Sequence, residues 1–162
     1  MLNVNTVAPI AALKAALPAL RASHGRVVLV SSGAATGRTS GWCAYKCVSA
    51  NSASKAALNA IARSLANEEP DIAVYAIRPG VVDTEMQTEI RAASQMSTQE
   101  KEKFLALHLD GQLFAPRVPA HVIAALAVNG RRDTPKMPDG SAMGATGGFL
   151  SWDAEQLADF RE

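Results

Sequence analysis

Apolar residues recur along this chain with two distinct periods. Over residues 6–21, Val7, Ile10, Leu13, Leu17 and Leu20 return at three- and four-residue spacing with alanines between them, which predicts a well-buried helix ended by Gly25. "RVVLVSS" follows as a continuous β-branched run, the pattern of a strand covered on both faces, expected over residues 26–31 and succeeded by a Gly/Thr/Ser-rich loop, residues 33–41. "SASKAALNAIARSLANEE" predicts a helix of small residues over 52–68, and "IAVYAIRPG" a second strand over 72–78 that stops in a proline-glycine turn. Downstream, "STQEKEKFLALHL" opens with a capping box, Ser97 to Glu100, and predicts a helix over Thr98–Leu109. "PAHVIAALAVNG" predicts another, closed by Gly130. After a long polar loop, "FLSW" at 149–152 reads as a short strand and "DAEQLADF" as a terminal helix capped by Asp153.

Helix, strand, helix, strand, helices, strand is an alternating order that implies an α/β fold with a parallel sheet. No repeat or linker divides it, so residues 1–162 form one unit. Three strands are few for a well-covered sheet of this kind, as though the pattern began in its middle.

Composition narrows the function. With 162 residues and 48% hydrophobic content the chain can bury a real core. Charged residues are 19% and nearly cancel at +1, which offers no field for nucleic acid or a membrane surface. The opening "MLNVNTVAPI" lacks a basic n-region and no apolar run is long enough to span a bilayer, so a cytoplasmic location is expected. Cys43 and Cys47 lack a second pair or a neighbouring histidine, which argues against a metal site or disulfide. His24, His108 and His121 are scattered and read as surface or helix-end residues.

The chemistry concentrates in "AYKCVSANSASKAAL". Without residues 46–51 it would read "AYSASKAAL", a tyrosine followed four positions later by a lysine. With the preceding "LNVNTVAP" and "GRVVLVSSGAA" and the following "IRPGVVDTEM", it resembles the C-terminal half of a short-chain dehydrogenase/reductase, a Rossmann-type doubly wound parallel sheet, over nearly the whole chain. The tail "GGFLSWD" is most similar to the sepiapterin reductase and benzil reductase branch.

The resemblance implies NADP- or NAD-dependent carbonyl reduction or alcohol oxidation on a small substrate. It makes Asn5 the residue that positions a proton-relay water. The thirteen-residue interval to Tyr45 makes Ser32 the partner of the substrate oxygen. Tyr45 becomes the acid/base, and Lys55 stabilises its phenolate and binds the nicotinamide ribose. Pro79, Gly80, Val82 and Thr84 carry the nicotinamide end of the cofactor. Such chemistry needs an acid for the developing alkoxide, and a phenol serves near neutral pH only when a neighbouring cation lowers its pKa. Taken singly, the same residues have plainer uses: Ser32 as a strand end, Asn5 as a helix N-cap, Tyr45 as packing, Lys55 as a solvated helix lysine and Pro79-Gly80 as a turn.

Two departures from the family pattern stand out. The glycine-rich dinucleotide fingerprint and the "NNAG" motif are not in this sequence, and "GSAMGATGG" at 140–148 follows a polar loop, a poor context for a phosphate cradle. This chain as written is therefore expected to be truncated and to bind a nicotinamide dinucleotide weakly. The second departure is the 46–51 insert. Four helical positions bring tyrosine and lysine within about 6 Å of rise and about 40° of angle; ten positions give about 15 Å and about 80°. The expectation is a looped-out insert with the helix restarting at 52, Tyr45 misplaced on the preceding loop and the chain inactive. The alternative reading is a non-catalytic remnant that docks on a full-length relative, and in either reading helices 6–21 and 52–68 resemble the family's dimer surface.

Overall fold

The computed structural model describes residues 2–36, 48–92 and 98–161. A π-helical turn, Asn3–Val7, leads into helix α1, Ala8–Ala22. Strand β1 is Arg26–Val30, helix α2 Val48–Glu68 and strand β2 Ala73–Arg78. Helices α3 (Glu85–Ala92), α4 (Thr98–Leu109) and α5 (Arg117–Asn129) follow, then a one-turn helix α6 (Met143–Thr146) and strand β3 (Phe149–Ser151). The three strands lie in the order β1-β2-β3 and both pairings are parallel, with Arg26 opposite Ala73 and Ala76 opposite Phe149.

Alternation along β2 makes the sheet two-sided. Val74 and Ala76 join Val27, Leu29, Leu58, Ala62 and Leu65 in a core on the α2 side, against which Leu13, Leu17 and Leu20 of α1 pack. Ala73, Tyr75 and Ile77 point the other way, into a core with Val122 and Leu126 of α5, Met143, Leu150, Trp152 and Leu157. Burying apolar surface on both faces of a parallel sheet is what β-branched, near-continuous strands permit. Helices α3 and α4 form a smaller cluster of their own, Ile90 and Phe104, with Val81 and Leu107 beside it. Arg21 at the end of α1 clamps Glu69 after α2 through two hydrogen bonds, 2.8 and 2.5 Å, and the bond from Arg21 holds the Glu69 carboxyl below its ordinary range.

Several expectations need correction. Helix α1 is not well buried: none of its residues is buried, Leu13, Leu17 and Leu20 are half-buried against the core, and Ile10, like Val7 before it, is exposed. Helix α2 is already helical at Val48, four residues before the expected start, so 48–51 of the insert are helical and not looped out; residues 46 and 47 lie outside the described residues. Its end at Glu68 is as expected. The C-terminal segment is a 3₁₀ helix, Glu155–Phe160, whose N-cap is Ala154 with no side-chain cap, so Asp153 does not cap it. Strand β1 is not covered on both faces along its length: Val27 and Leu29 are buried but Val28 is half-buried and Val30 is exposed. Within 140–148, Gly147 and Gly144 serve packing, since Gly147 rests on the Ala62 backbone of α2 and Gly144 on that of Arg132. Among the described residues no helix is long and apolar enough to cross a membrane.

Candidate active site at the carboxyl edge of the sheet

Parallel strands deliver their carboxyl ends to one edge, and in open α/β sheets that edge holds the ligand crevice. Here β1 ends at Val30, whose carbonyl accepts a 2.8 Å hydrogen bond from Lys55 Nζ. The next residue, Ser31, is buried and its hydroxyl donates to the Lys55 carbonyl at 3.3 Å. These two bonds fasten the first half of α2 to the end of β1. Burial lowers the Lys55 pKa, so this lysine is not a plain solvated one. Ser32 then opens a 3₁₀ turn, Gly33–Ala35, and its hydroxyl accepts from the Ala34 N–H at 3.2 Å.

Asn5 meets the same stretch of α2. It sits inside the π-helical turn, not at an N-cap, and its Nδ2 donates to Ser54 Oγ at 3.1 Å and to Asn51 Oδ1 at 3.4 Å. Ser54 is fully buried and donates in turn to the Asn51 carbonyl at 2.7 Å. Single π turns inserted at helix ends recur at functional sites, because the extra residue re-aims a side chain. Asn5 is thereby bonded to the residue before Lys55, and Lys55 to the residue two before Ser32. Tyr45 lies outside the described residues. The second tyrosine, Tyr75, has a structural task at the other end of β2: burial pushes its phenol up to about 12, and it donates to the Arg131 carbonyl at 2.7 Å.

The end of β2 supplies the other half of the edge. Gly80 has φ +76, and a Cβ there would stand 3.1 Å from Trp152 Nε1 and 3.2 Å from the Phe114 ring, so only glycine passes. Phe114 and Trp152 meet edge to face at 5.0 Å between ring centres. The backbone of Phe114 also pairs with the loop beyond Gly80: its N–H donates to Val81 O at 3.0 Å and its carbonyl accepts from Asp83 N–H at 2.9 Å, bracketing Val82. Thr84 Oγ1 donates to the Val82 carbonyl at 3.3 Å, and the Thr84 carbonyl accepts from Gln87 N–H as α3 begins. The Arg78 side chain lies against Gly33, which joins the ends of β1 and β2. Trp152 Nε1 is buried without a hydrogen-bond partner.

The structure thus brings Asn5, Ser32 and Lys55 to the end of β1 and Pro79, Gly80, Val82 and Thr84 to the end of β2. Sequence reasoning missed Asn51 and Ser54, which hold Asn5, and Phe114 and Trp152, which brace the Gly80 loop. At the β2 end the space a Gly80 Cβ would take is held by Trp152 and Phe114, and at the β1 end Lys55 presents a half-buried ammonium.

Comparison with known proteins bears on the family and the fold. The family described as short chain dehydrogenase matches residues 1–95. The chain is 39% identical over 161 residues to a Saccharomyces cerevisiae protein named "Uncharacterized oxidoreductase YIR035C", covering 98% of this chain and 57% of that one. It is 40% identical over 141 residues to the yeast protein "Benzil reductase ((S)-benzoin forming) IRC24", covering 83% of this chain and 51% of that one. The crystal structure of YIR035C superposes with a TM-score of 0.84 at 37% identity, over all of this chain and 59% of that one. The chain therefore spans little more than half the length of these relatives, and on sequence and fold alike it belongs to the short-chain dehydrogenase/reductase family.

Proposed function

We propose that this chain carries the carbonyl-reducing part of an NAD(P)H-dependent oxidoreductase, with NADPH the first cofactor to test and an aromatic ketone or diketone as substrate. The substrate class is suggested by the relative named benzil reductase. The observation that carries the reading is the Lys55–Val30 contact, which holds a half-buried ammonium at the carboxyl edge beside Ser32 and, through Ser54, Asn5.

When bound, the nicotinamide supplies the hydride. The protein's part is to orient and to move a proton. Ser32 Oγ hydrogen-bonds the substrate oxygen, Tyr45 gives that oxygen its proton, and Asn5 orients the water that resupplies it. Lys55 favours the phenolate by its charge, an interaction strengthened because half-burial reduces solvent screening. Pro79, Gly80, Val82 and Thr84 line the nicotinamide end, and Tyr45 and Lys55 hold the ribose. Residues 46–51 separate Tyr45 from Lys55 and hold activity low. A homodimer through α1 and α2 fits the exposed Val7 and Ile10 on the turn before and the first turn of α1. A cytoplasmic location fits the same reading.

The test supplies a dinucleotide-binding first half in cis from a matched relative and follows NADPH consumption with benzil. Deleting residues 46–51 is expected to raise turnover at least about tenfold, and Lys55→Met or Ser32→Ala in that background to lower it about 10²-fold or more. Equal turnover with and without the six residues overturns the interruption, and unaltered turnover in Lys55→Met overturns the assignment of the site.

A further inference from the structure

A cleft of about 320 Å³ opens at the opposite, amino-terminal edge of the sheet, where β1 and β2 begin; His24, Arg26, Asp71, Gly130, Arg131 and Arg132 are among its walls. Three guanidinium groups and an imidazole share it with one carboxylate. What matters is how those cations are held. Arg26 Nε donates to the Gly130 carbonyl. Arg132 donates to the carbonyls of Glu69 at 3.0 Å, Ile72 at 2.6 Å and Ala66 at 2.9 Å. Carbonyl partners fix a guanidinium without cancelling its charge, and no carboxylate among the described residues pairs with either arginine. Arg131 is tied only loosely, by one 3.3 Å contact with Asp133 at the surface. Asp71, the one acid of the walls, stands 3.8 Å from His24 Nδ1.

The cleft is also rigid. Tyr75, fully buried, hydrogen-bonds the Arg131 carbonyl and pins the turn that carries the arginines. On the other wall, His24 has φ +46, the only non-glycine residue at positive φ among the described residues. That conformation closes α1, with the Gly25 N–H on the Leu20 carbonyl, and it sets the imidazole in the cleft wall beside Asp71.

We propose that this cleft binds a small phosphate-bearing molecule, with the phosphate on Arg26 and Arg131 and His24 as a further donor. Planar guanidinium forks suit the several acceptor oxygens of a phosphate, and Arg26, already held at Nε by the Gly130 carbonyl, loses little freedom on binding. The volume exceeds a bare phosphate and leaves room for an organic remainder. The cleft lies the length of a five-residue strand, about 17 Å, from the carboxyl edge, so its ligand is not the reacting substrate.

Isothermal titration of the intact chain with pyrophosphate at low ionic strength tests this. The expected result is saturable one-to-one binding that weakens about tenfold in Arg131→Gln. In His24→Gly the affinity should fall several-fold while Tm stays level or rises, since the backbone is relaxed; a purely structural His24 would change Tm alone. Arg63→Gln, which removes the same charge from the exposed face of α2, and Lys55→Met, at the other edge, should both bind as the parent does. Absence of saturable binding overturns the proposal, as does equal weakening in Arg63→Gln, loss of binding in Lys55→Met, or citrate binding as tightly as pyrophosphate.

Discussion

Strands β1 and β2 pair in parallel through five consecutive partners, and their sequences, "RVVLV" and "AVYAIR", are almost equally apolar. In β2 five residues in a row are buried; in β1 only Val27 and Leu29 are, and Val30 is 42% exposed. Strand β2 lies between two strands and between two helical layers, whereas β1 has a partner on one side only among the described residues. The contrast teaches that apolar content sets the capacity for burial and neighbours set its realisation. It also separates two duties. Strand β2 is the mechanical centre, and β1 ends in the polar groups, Val30 carbonyl, Ser31 and Ser32, from which Lys55 and the candidate chemistry are hung.

Substitutions on the two strands should therefore differ in scale. Ile77→Ala in β2 removes a fully buried side chain between β3 and α5 and is expected to cost about 3 kcal/mol, read from the shift of a urea unfolding midpoint. A cost near zero would mean that β2 is no more central than β1. Tyr75→Phe keeps the ring but removes the hydrogen bond from a buried hydroxyl to the Arg131 carbonyl, and about 1 kcal/mol should be lost in the same measurement.

The end of β1 has a pH signature. Burial lowers the Lys55 pKa below its ordinary 10.5, so the folded state releases this proton more readily than the unfolded state. The cost of burying the ammonium is present in full at pH below the folded pKa and fades as pH rises through the folded value toward 10.5. The stability difference between the parent and Lys55→Met should accordingly shift in the parent's favour as the pH is taken from neutral into that alkaline window. A pH-independent difference would place Lys55 in water instead of against Val30. Smallest of all, Val30→Thr on the open strand should change the midpoint by no more than about 0.5 kcal/mol; a loss as large as that of Ile77→Ala would show that something covers β1.

Period and punctuation in the sequence determined most of the helices and strands: a 3.6-residue apolar period is buried only in a helix, and the short continuous runs were read as strands from their β-branched residues and flanking Gly and Pro. The ends of α4 at Leu109 and of α2 at Glu68 were legible, the parallel order followed from the alternation of elements, and the joint order of the motifs around Asn5, Ser32, Tyr45, Lys55 and Pro79-Gly80 carried the family. What the sequence misjudged depended on long-range partners. That 48–51 are already helical accompanies a hydrogen-bonded triad of Asn5, Asn51 and Ser54, and Asn5 is 46 residues from Asn51, a reach no local propensity encodes. The same holds for Asp153, left without a cap to make because the chain closes into a 3₁₀ turn around the buried Leu157. Gly80 read as half of a turn; only the approach of Trp152 and Phe114, from segments far along the chain, shows why no side chain fits there. The charge of Arg132 was visible from the start, but that carbonyls alone hold it was decided by how the loop after α5 closes on the ends of α2 and β2.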